Sequence, residues 1–375
     1  MALSFLVVAL GVSVSAGFRK EIRSGVQAEV GDLRIVEYAS TADIDTASIA
    51  LPAALREAVL SVPGVASMEE CVSRAGIVKA GETVHGILVK GIRGGAAKWA
   101  ADSLAPLSVA VPRRLGSLLG LGVGDDLVTY FVGEKVRVRK FRIAALYPGI
   151  LEMDDHLVVY ADIEDMRRLN LWGPDRCSAL DILLDSGVSS QERTEAVRER
   201  LQELLDSRSE EMEDYPYVSS SYERFPQLFS WLDLLDINVT VLLVLMGVVA
   251  GFNMISGLLI MLLRNIPTIG TLKTLGMRNA ALSGAFLRCA ARTLLRGLLL
   301  GNVVAIAFCL IQDATHLLTL NPAHYFVSFV PVAFDWGYLL LANAAAFGIA
   351  LVMVALPLLM IARIDPAETV RGNLR

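Results

Sequence analysis

Three apolar stretches, each long enough to cross a bilayer, occupy most of the chain after residue 233. They cover residues 234–263, which include VTVLLVLMGVVAGFNMISGLLIMLL, then 281–311 and 336–362. About 20 apolar residues in a helix span the roughly 30 Å hydrocarbon core. In lipid every backbone polar group must be satisfied internally, so segments of this kind become helices. A fourth apolar run, residues 1–18, opens the chain. The whole is 54% hydrophobic, with a mean hydropathy of +0.54, well above soluble globular proteins. The excess is uneven. Residues 19–233 are rich in Glu, Asp, Arg and Ser and read as a water-facing domain. The net charge of -5 therefore averages over two solvents and says little.

Orientation follows from the basic residues, which favour the cytoplasmic side. Arg264, Lys273 and Arg278 lie between the 234–263 and 281–311 stretches, and Arg363, Arg371 and Arg375 follow the last one. The loop 312–335 has no Lys or Arg. The loop 264–280 and the tail 363–375 are thus expected in the cytoplasm, and the loop 312–335 and the domain 19–233 outside. Residues 1–18 are expected to be an uncleaved first span whose basic leader precedes Met1. A cleaved signal peptide ending near Ser15, Ala16 and Gly17 is the alternative; Arg19, Lys20 and Arg23 follow directly.

The water-facing part reads as mixed α and β. Strand patterns cover Gly31–Glu37, Val84–Val89, Leu127–Phe131, Val136–Ala145 and His156–Tyr160. Helical patterns cover Pro52–Ser61, Arg113–Gly120, Ile163–Leu169 and Gln191–Glu203, the last with Ala196, Val197, Leu201 and Leu204 as its apolar residues. Gly122 and Gly124 read as turn glycines. Within the second span, Gly247 and Gly251 have GxxxG spacing, which permits close helix approach, although glycine is common in membrane helices anyway. Arg288, Arg292 and Arg296 recur every four residues and share one helix face, either snorkelling to headgroups or meeting a partner.

Catalytic signals are absent. No GxxxxGK[ST], HExxH or GxSxG occurs, so the chain offers no nucleotide-binding loop, zinc-protease motif or nucleophile elbow. His85, His156, His316 and His324 are scattered, and the acidic pairs Asp154/Asp155 and Glu69/Glu70 read as structural. Cys71, Cys177, Cys289 and Cys309 make no CxxC pair, and a Cys71–Cys177 disulfide stays open for an extracytoplasmic domain. No catalytic, cofactor-binding or metal residue is assigned, and no basic-aromatic stripe points to nucleic acid.

The segment RNIPTIGTLKTLGMRN, between the second and third spans, resembles the cytoplasmic coupling segment of FtsX-like ABC permeases, with its IGxLKxLG pattern. Ile269, Gly270, Leu272, Lys273, Leu275 and Gly276 match as they stand, with Arg278 as the basic residue that follows. Thr268 stands where the family often carries an acid. The ending IARIDPAETVRGN resembles the family's closing signature through Ile364, Pro366, Val370 and Arg371. WLDLLDINVTVLLVLMGVVAGFNMISGLL, NPAHYFVSFVPVAFDW and VRKFRIAALYPGILEMDDHLVVYADIEDMRRLNLW are similar to the lipoprotein-releasing, Lol-type branch, particularly as found in Bacteroidetes.

The resemblance implies a fold and a partnership. The fold is an α+β membrane protein of the type VII ABC exporter class. It has four transmembrane helices, with a large mixed α/β periplasmic domain inserted after the first. The chain is a permease subunit in the inner membrane and not itself an enzyme. ATP and Mg are bound by a separate, LolD-like ATPase subunit. A second permease copy or paralogue, a lipoprotein substrate, a periplasmic carrier and membrane lipid complete the expected partners, with no nucleic acid. Ile269, Leu272 and Leu275 are expected to form an apolar ridge for an ATPase groove, with Lys273 and Arg278 at its rim. Trp231, Leu234 and Ile237 mark the region where substrate is expected to enter. Competing functions are a MacB-like efflux or mechanotransmission permease, a cell-division FtsX permease, and a membrane-anchored sensor or structural protein without an ATPase.

Overall fold

Long apolar runs and short alternating ones give this chain two kinds of structure. The computed structural model describes residues 1–38, 48–80, 83–93, 104–132, 136–147, 157–185, 190–208, 214–321, 325 and 327–362. His156, Asp154, Asp155, His324 and the tail with Ile364, Pro366, Val370 and Arg371 lie outside them. Two compact units are found. The helical unit comprises Met1–Glu21, Ser230–Leu320 and the chain from Phe329 onward, and the α/β unit comprises Ile22–Phe229 with Asn321–Ser328.

The helical unit is built on four helices long and apolar enough to cross a membrane. They are α1 (Ala2–Val30), α7 (Pro226–Arg264), α9 (Asn279–Thr315) and α10 (Trp336–Ala362). A short α8 (Ile266–Thr274) joins α7 to α9. Two of the four run well past the apolar stretches that announce them. α1 continues from Phe18 to Val30, and α7 begins at Pro226.

The α/β unit holds a nine-stranded sheet of order β11-β1-β10-β3-β4-β8-β5-β7-β6. Its strands are β1 (Leu33–Glu37), β3 (Val65–Ala80), β4 (Thr83–Ile92), β5 (Ser108–Pro112), β6 (Asp126–Phe131), β7 (Arg137–Tyr147), β8 (Val158–Asp162), β10 (Ala179–Leu184) and β11 (Pro216–Ser220). A further pair, β2 (Ile49–Ala50) and β9 (Arg176–Cys177), stands apart. Strand β6 shows why alternation works as a signal. Leu127, Thr129 and Phe131 are buried while Asp126, Val128 and Tyr130 face out. Strand β3 shows where it fails. Its sequence VASMEECVSRAGIVKA carries charges and small residues throughout, yet it pairs with β10, β4 and β6. The β3–β6 pairing closes β3, β4, β8, β5, β7 and β6 into a ring. Gly76 permits it, since a Cβ there would stand 2.7 Å from Thr129 Cγ2.

Helices α2 (Ala53–Leu60), α3 (Arg113–Leu119), α4 (Ile163–Asn170), α5 (Gln191–Asp206) and α6 (Ser221–Arg224) complete the unit. Local chemistry sets their ends. Asp162 caps α4 by accepting from Glu164 N at 2.8 Å. Ser220 and Glu223 form a capping box on α6. Gly120 closes α3 with a φ of 65°. Helix α5 buries Thr194, Val197, Leu201 and Leu205, whereas Ala196, expected on the apolar face, is exposed.

Ion pairs are sealed into this unit. Asp181 on β10 accepts from Arg34 Nη2 at 2.9 Å and from Lys90 Nζ at 2.6 Å, and all three are buried. Burial alone would raise the Asp181 carboxyl, but Arg34 and Lys90 outweigh it and hold the group well below the usual carboxylate range. Glu70 is half of the acidic pair read as structural, and it behaves so. It pairs with Arg56, with Arg93 at 3.3 Å and with the buried Arg167 at 2.8 Å. Cys71 and Cys177 are both buried free thiols, and burial pushes the Cys177 thiol up to about 12.

Candidate functional site

The α7–α8–α9 corner is built by three local decisions. Helix α7 stops at Arg264, and Asn265 folds its side-chain amide back to Met261 O at 2.7 Å. Pro267 then sits in the first turn of α8, where its missing N–H costs no helix bond. Gly276 ends the segment with a φ of 91°, while Met277 N bonds Leu272 O and Gly276 N bonds Lys273 O, both at 3.0 Å. That pattern is a Schellman close, which needs a left-handed residue at this point. The LG pair of the sequence motif therefore has a backbone reason.

The side chains of the segment divide in an unexpected way. Ile269 is only 2% exposed and lies in one buried cluster with Met254, Leu258 and Leu262 of α7 and Leu282 and Phe286 of α9. Gly270 is buried beside it, and Leu272 packs at the cluster's edge. Leu275 is 80% exposed; Met277 and Arg278 are exposed too, and Lys273 is half-buried. The expected ridge of Ile269, Leu272 and Leu275 is thus corrected. At about 100° per residue, position i+6 is turned roughly 120° from position i, and the helix has ended by Leu275. Ile269 anchors the segment to the bundle, and Leu275 forms its tip.

Packing within the bundle uses glycine. A Cβ on Gly247 would meet Ile349 Cβ at 3.3 Å, and one on Gly251 would meet Met353 Sδ at 2.5 Å. Both glycines therefore set the approach of α7 to α10. A second GxxxG, Gly297 and Gly301 on α9, was passed over in the sequence. A Cβ on Gly301 would stand 2.5 Å from Ala2 O of α1. The polar residues of the spans were also missed. Asn302 of α9 and Asn343 of α10 exchange amide hydrogen bonds in both directions at 3.0 Å. Buried Gln312 holds Leu318 O and Val330 O at 3.2 Å each and accepts from Leu318 N at 3.0 Å. Polar side chains interrupting an apolar run are the signal that would have found them.

At the other end of α7, Asp236 accepts from Ser15 Oγ at 2.6 Å and pairs with Arg19, both on α1. Phe18 meets Trp231 edge to face, with ring centroids 5.4 Å apart. Trp231 is thereby held to α1, while Leu234 and Ile237, one turn apart on α7, are exposed. The structure does not bring the Trp231 region and the α8 corner into one site. Among the described residues, no group of three or more His, Cys, Asp or Glu is gathered to hold a metal.

The pattern of the FtsX-like permease C-terminal family matches residues 240–366, which contain this corner and the last two long helices. The chain is 22% identical to the lipoprotein-releasing system transmembrane protein LolE of Haemophilus influenzae, over all of this chain and 92% of that protein. It is 24% identical to the lipoprotein-releasing system transmembrane protein LolC of Neisseria meningitidis serogroup B, over 99% and 92%. Among solved structures, the periplasmic region of MacB from Actinobacillus actinomycetemcomitans aligns with 56% of this chain and 97% of its own length, at 13% identity and a TM-score of 0.34. Four bilayer-length helices, a large α/β unit and this sequence match together identify a transmembrane protein that carries an FtsX-like permease domain.

Proposed function

We propose that the chain is the permease subunit of an ABC transporter that extracts lipoproteins from the inner membrane, driven by a separate ATPase. The α8 corner is its coupling element. The observation carrying this reading is the division of labour across the seven residues from Ile269 to Leu275. Ile269 is locked among residues of α7 and α9, and Leu275 stands out at the tip. A push on the tip is then transmitted to two long helices through a packed core, which moves as a body because close-packed interiors yield little. Lys273 and Arg278 supply positive charge beside the tip for acids on the ATPase. Trp231, Leu234 and Ile237, at the α1–α7 contact, are the proposed point of substrate access. The lipoprotein assignment is supported by the similarity to LolE and LolC.

The test has two parts. Depletion of the protein should leave triacylated lipoproteins in the inner-membrane fraction. Unchanged lipoprotein distribution with raised sensitivity to exported compounds would move the chain to the MacB-like efflux permeases. Leu275→Asp should abolish transport and ATPase co-purification while the protein still inserts; full transport by this variant would remove α8 from the coupling role.

A further inference from the structure

We propose that Arg288, Arg292 and Arg296 on α9 form a binding site for an anionic phospholipid, in the leaflet on the α8 side. The inference rests on the membrane-spanning reading of the four helices. It concerns a face of α9 that neither the coupling corner nor the substrate-access region uses.

Helix α9 runs for 37 residues, about 55 Å at 1.5 Å per residue. That length far exceeds the roughly 30 Å hydrocarbon core. Counting about 20 residues back from Ile311, the last apolar residue before Gln312 and Asp313, places the core's lower edge close to Arg292. Arg288 then lies one turn beyond that edge, about 6 Å further along the axis at headgroup depth, and Arg296 one turn inside it, from where its long side chain can snorkel to the headgroups.

The three arginines are exposed, and the buried face of α9 lies opposite them, along Phe286, Ala290, Leu294 and Gly301. Arg288 Nε donates to Gly284 O at 3.2 Å within its own helix. Among the described residues no carboxylate pairs with any of the three, and α9 has no acid before Asp313. The same face continues upward as Leu299, Val303 and Leu310, all more than half exposed. By helical geometry these leucines and the valine fall within about 60° of the mean direction of the arginines. One stripe therefore presents guanidinium groups below and aliphatic side chains above. A phosphodiester headgroup with acyl chains has that polarity and that length. Guanidinium forks suit phosphate oxygens, and a cytoplasmic leaflet rich in anionic lipid offers them. An acidic protein surface would meet the arginines but would leave the aliphatic half of the stripe without a matching partner.

The purified full chain, delipidated in detergent, is offered phosphatidylglycerol or phosphatidylcholine and analysed by native mass spectrometry. Wild type should retain phosphatidylglycerol at least about tenfold better, since each basic residue at an anionic surface contributes roughly fivefold. Equal retention of the two lipids by wild type overturns the proposal and needs no variant. The triple variant Arg288→Gln/Arg292→Gln/Arg296→Gln should lose the preference; if it fails to fold, Arg292→Gln alone should lower it severalfold. sn-Glycerol 3-phosphate, which lacks acyl chains, should not displace the lipid; displacement would overturn the two-part stripe. A variant that keeps the preference but no longer co-purifies an ATPase assigns the stripe to a protein contact and overturns the lipid site. A chain that never inserts into nanodiscs would instead sink the membrane reading itself.

Discussion

The α/β unit and the helical bundle both bury polar groups, but they bury different ones. In the α/β unit Arg34, Lys90 and Asp181 are full charges, packed away from water and satisfied by each other. Among the described residues of the bundle the buried polar groups are neutral: the amides of Gln312 and of Asn343, which pairs with half-buried Asn302, and the hydroxyls of Ser4, Ser13 and Ser15. The difference follows from the solvent outside. Water drives the α/β core together through the hydrophobic effect, a drive large enough to carry the desolvation of a few paired charges. Lipid supplies no such drive between helices, which are as apolar as their surroundings. Close approach at Gly251 and Gly301, with a few amide bonds, has to hold the bundle instead.

The sharpest way to break this comparison is Asp181→Asn. It strands Arg34 and Lys90 without a carboxylate in the interior, and should cost about 3–5 kcal/mol. Thermal unfolding of the full chain in detergent should show the loss in the α/β transition and leave the bundle unchanged. The pH dependence gives an independent check. The native Asp181 carboxyl sits below its unfolded value of about 3.9. Its contribution is therefore complete above about pH 4 and is lost as pH falls through the native value. The variant should lose that acid sensitivity at this site; an unchanged acid limb would mean another carboxylate dominates.

A bulkier residue at a glycine contact should come next. Gly301→Leu or Gly251→Leu drives a side chain into the backbone of α1 or into Met353, and overpacking of this kind costs about 1–3 kcal/mol. The same change at exposed Gly257, where a Cβ meets nothing within 4 Å, should be near neutral. Equal effects at Gly257 and Gly251 would deny that close approach matters.

The smallest effect belongs to the amide pair. A double-mutant cycle of Asn302→Leu and Asn343→Leu should return a coupling of about 0.6–1.7 kcal/mol. A coupling above the Asp181 cost would reverse the contrast between the two units.

Much of the helical unit could be read directly, because a run of apolar residues leaves few alternatives once it is long enough to span lipid. The α8 corner was legible in part. Gly276 sits where a Schellman close needs it, so that portion of the motif reflects local backbone chemistry. The orientation of Ile269 was not legible, since a short helix next to two long ones can present either face until its neighbours are known. Strand β3 was the main omission in the α/β unit. Its burial pattern is set by three different partners along 16 residues, so no single alternation runs through it.

Local chemistry in the chain by itself determined where spans form, where α8 begins and ends, and how helices α3, α4 and α6 are capped. Such features depend on neighbours within a few residues and on the solvent a segment can tolerate. Tertiary structure alone decided which side of α8 is sealed, that Gly301 meets Ala2, that Asn302 finds Asn343, and that Asp181 gathers Arg34 and Lys90 from strands far apart in the chain. Those outcomes depend on contacts between distant segments, and a hydrogen-bonding or charged side chain carries no mark of which distant partner will satisfy it.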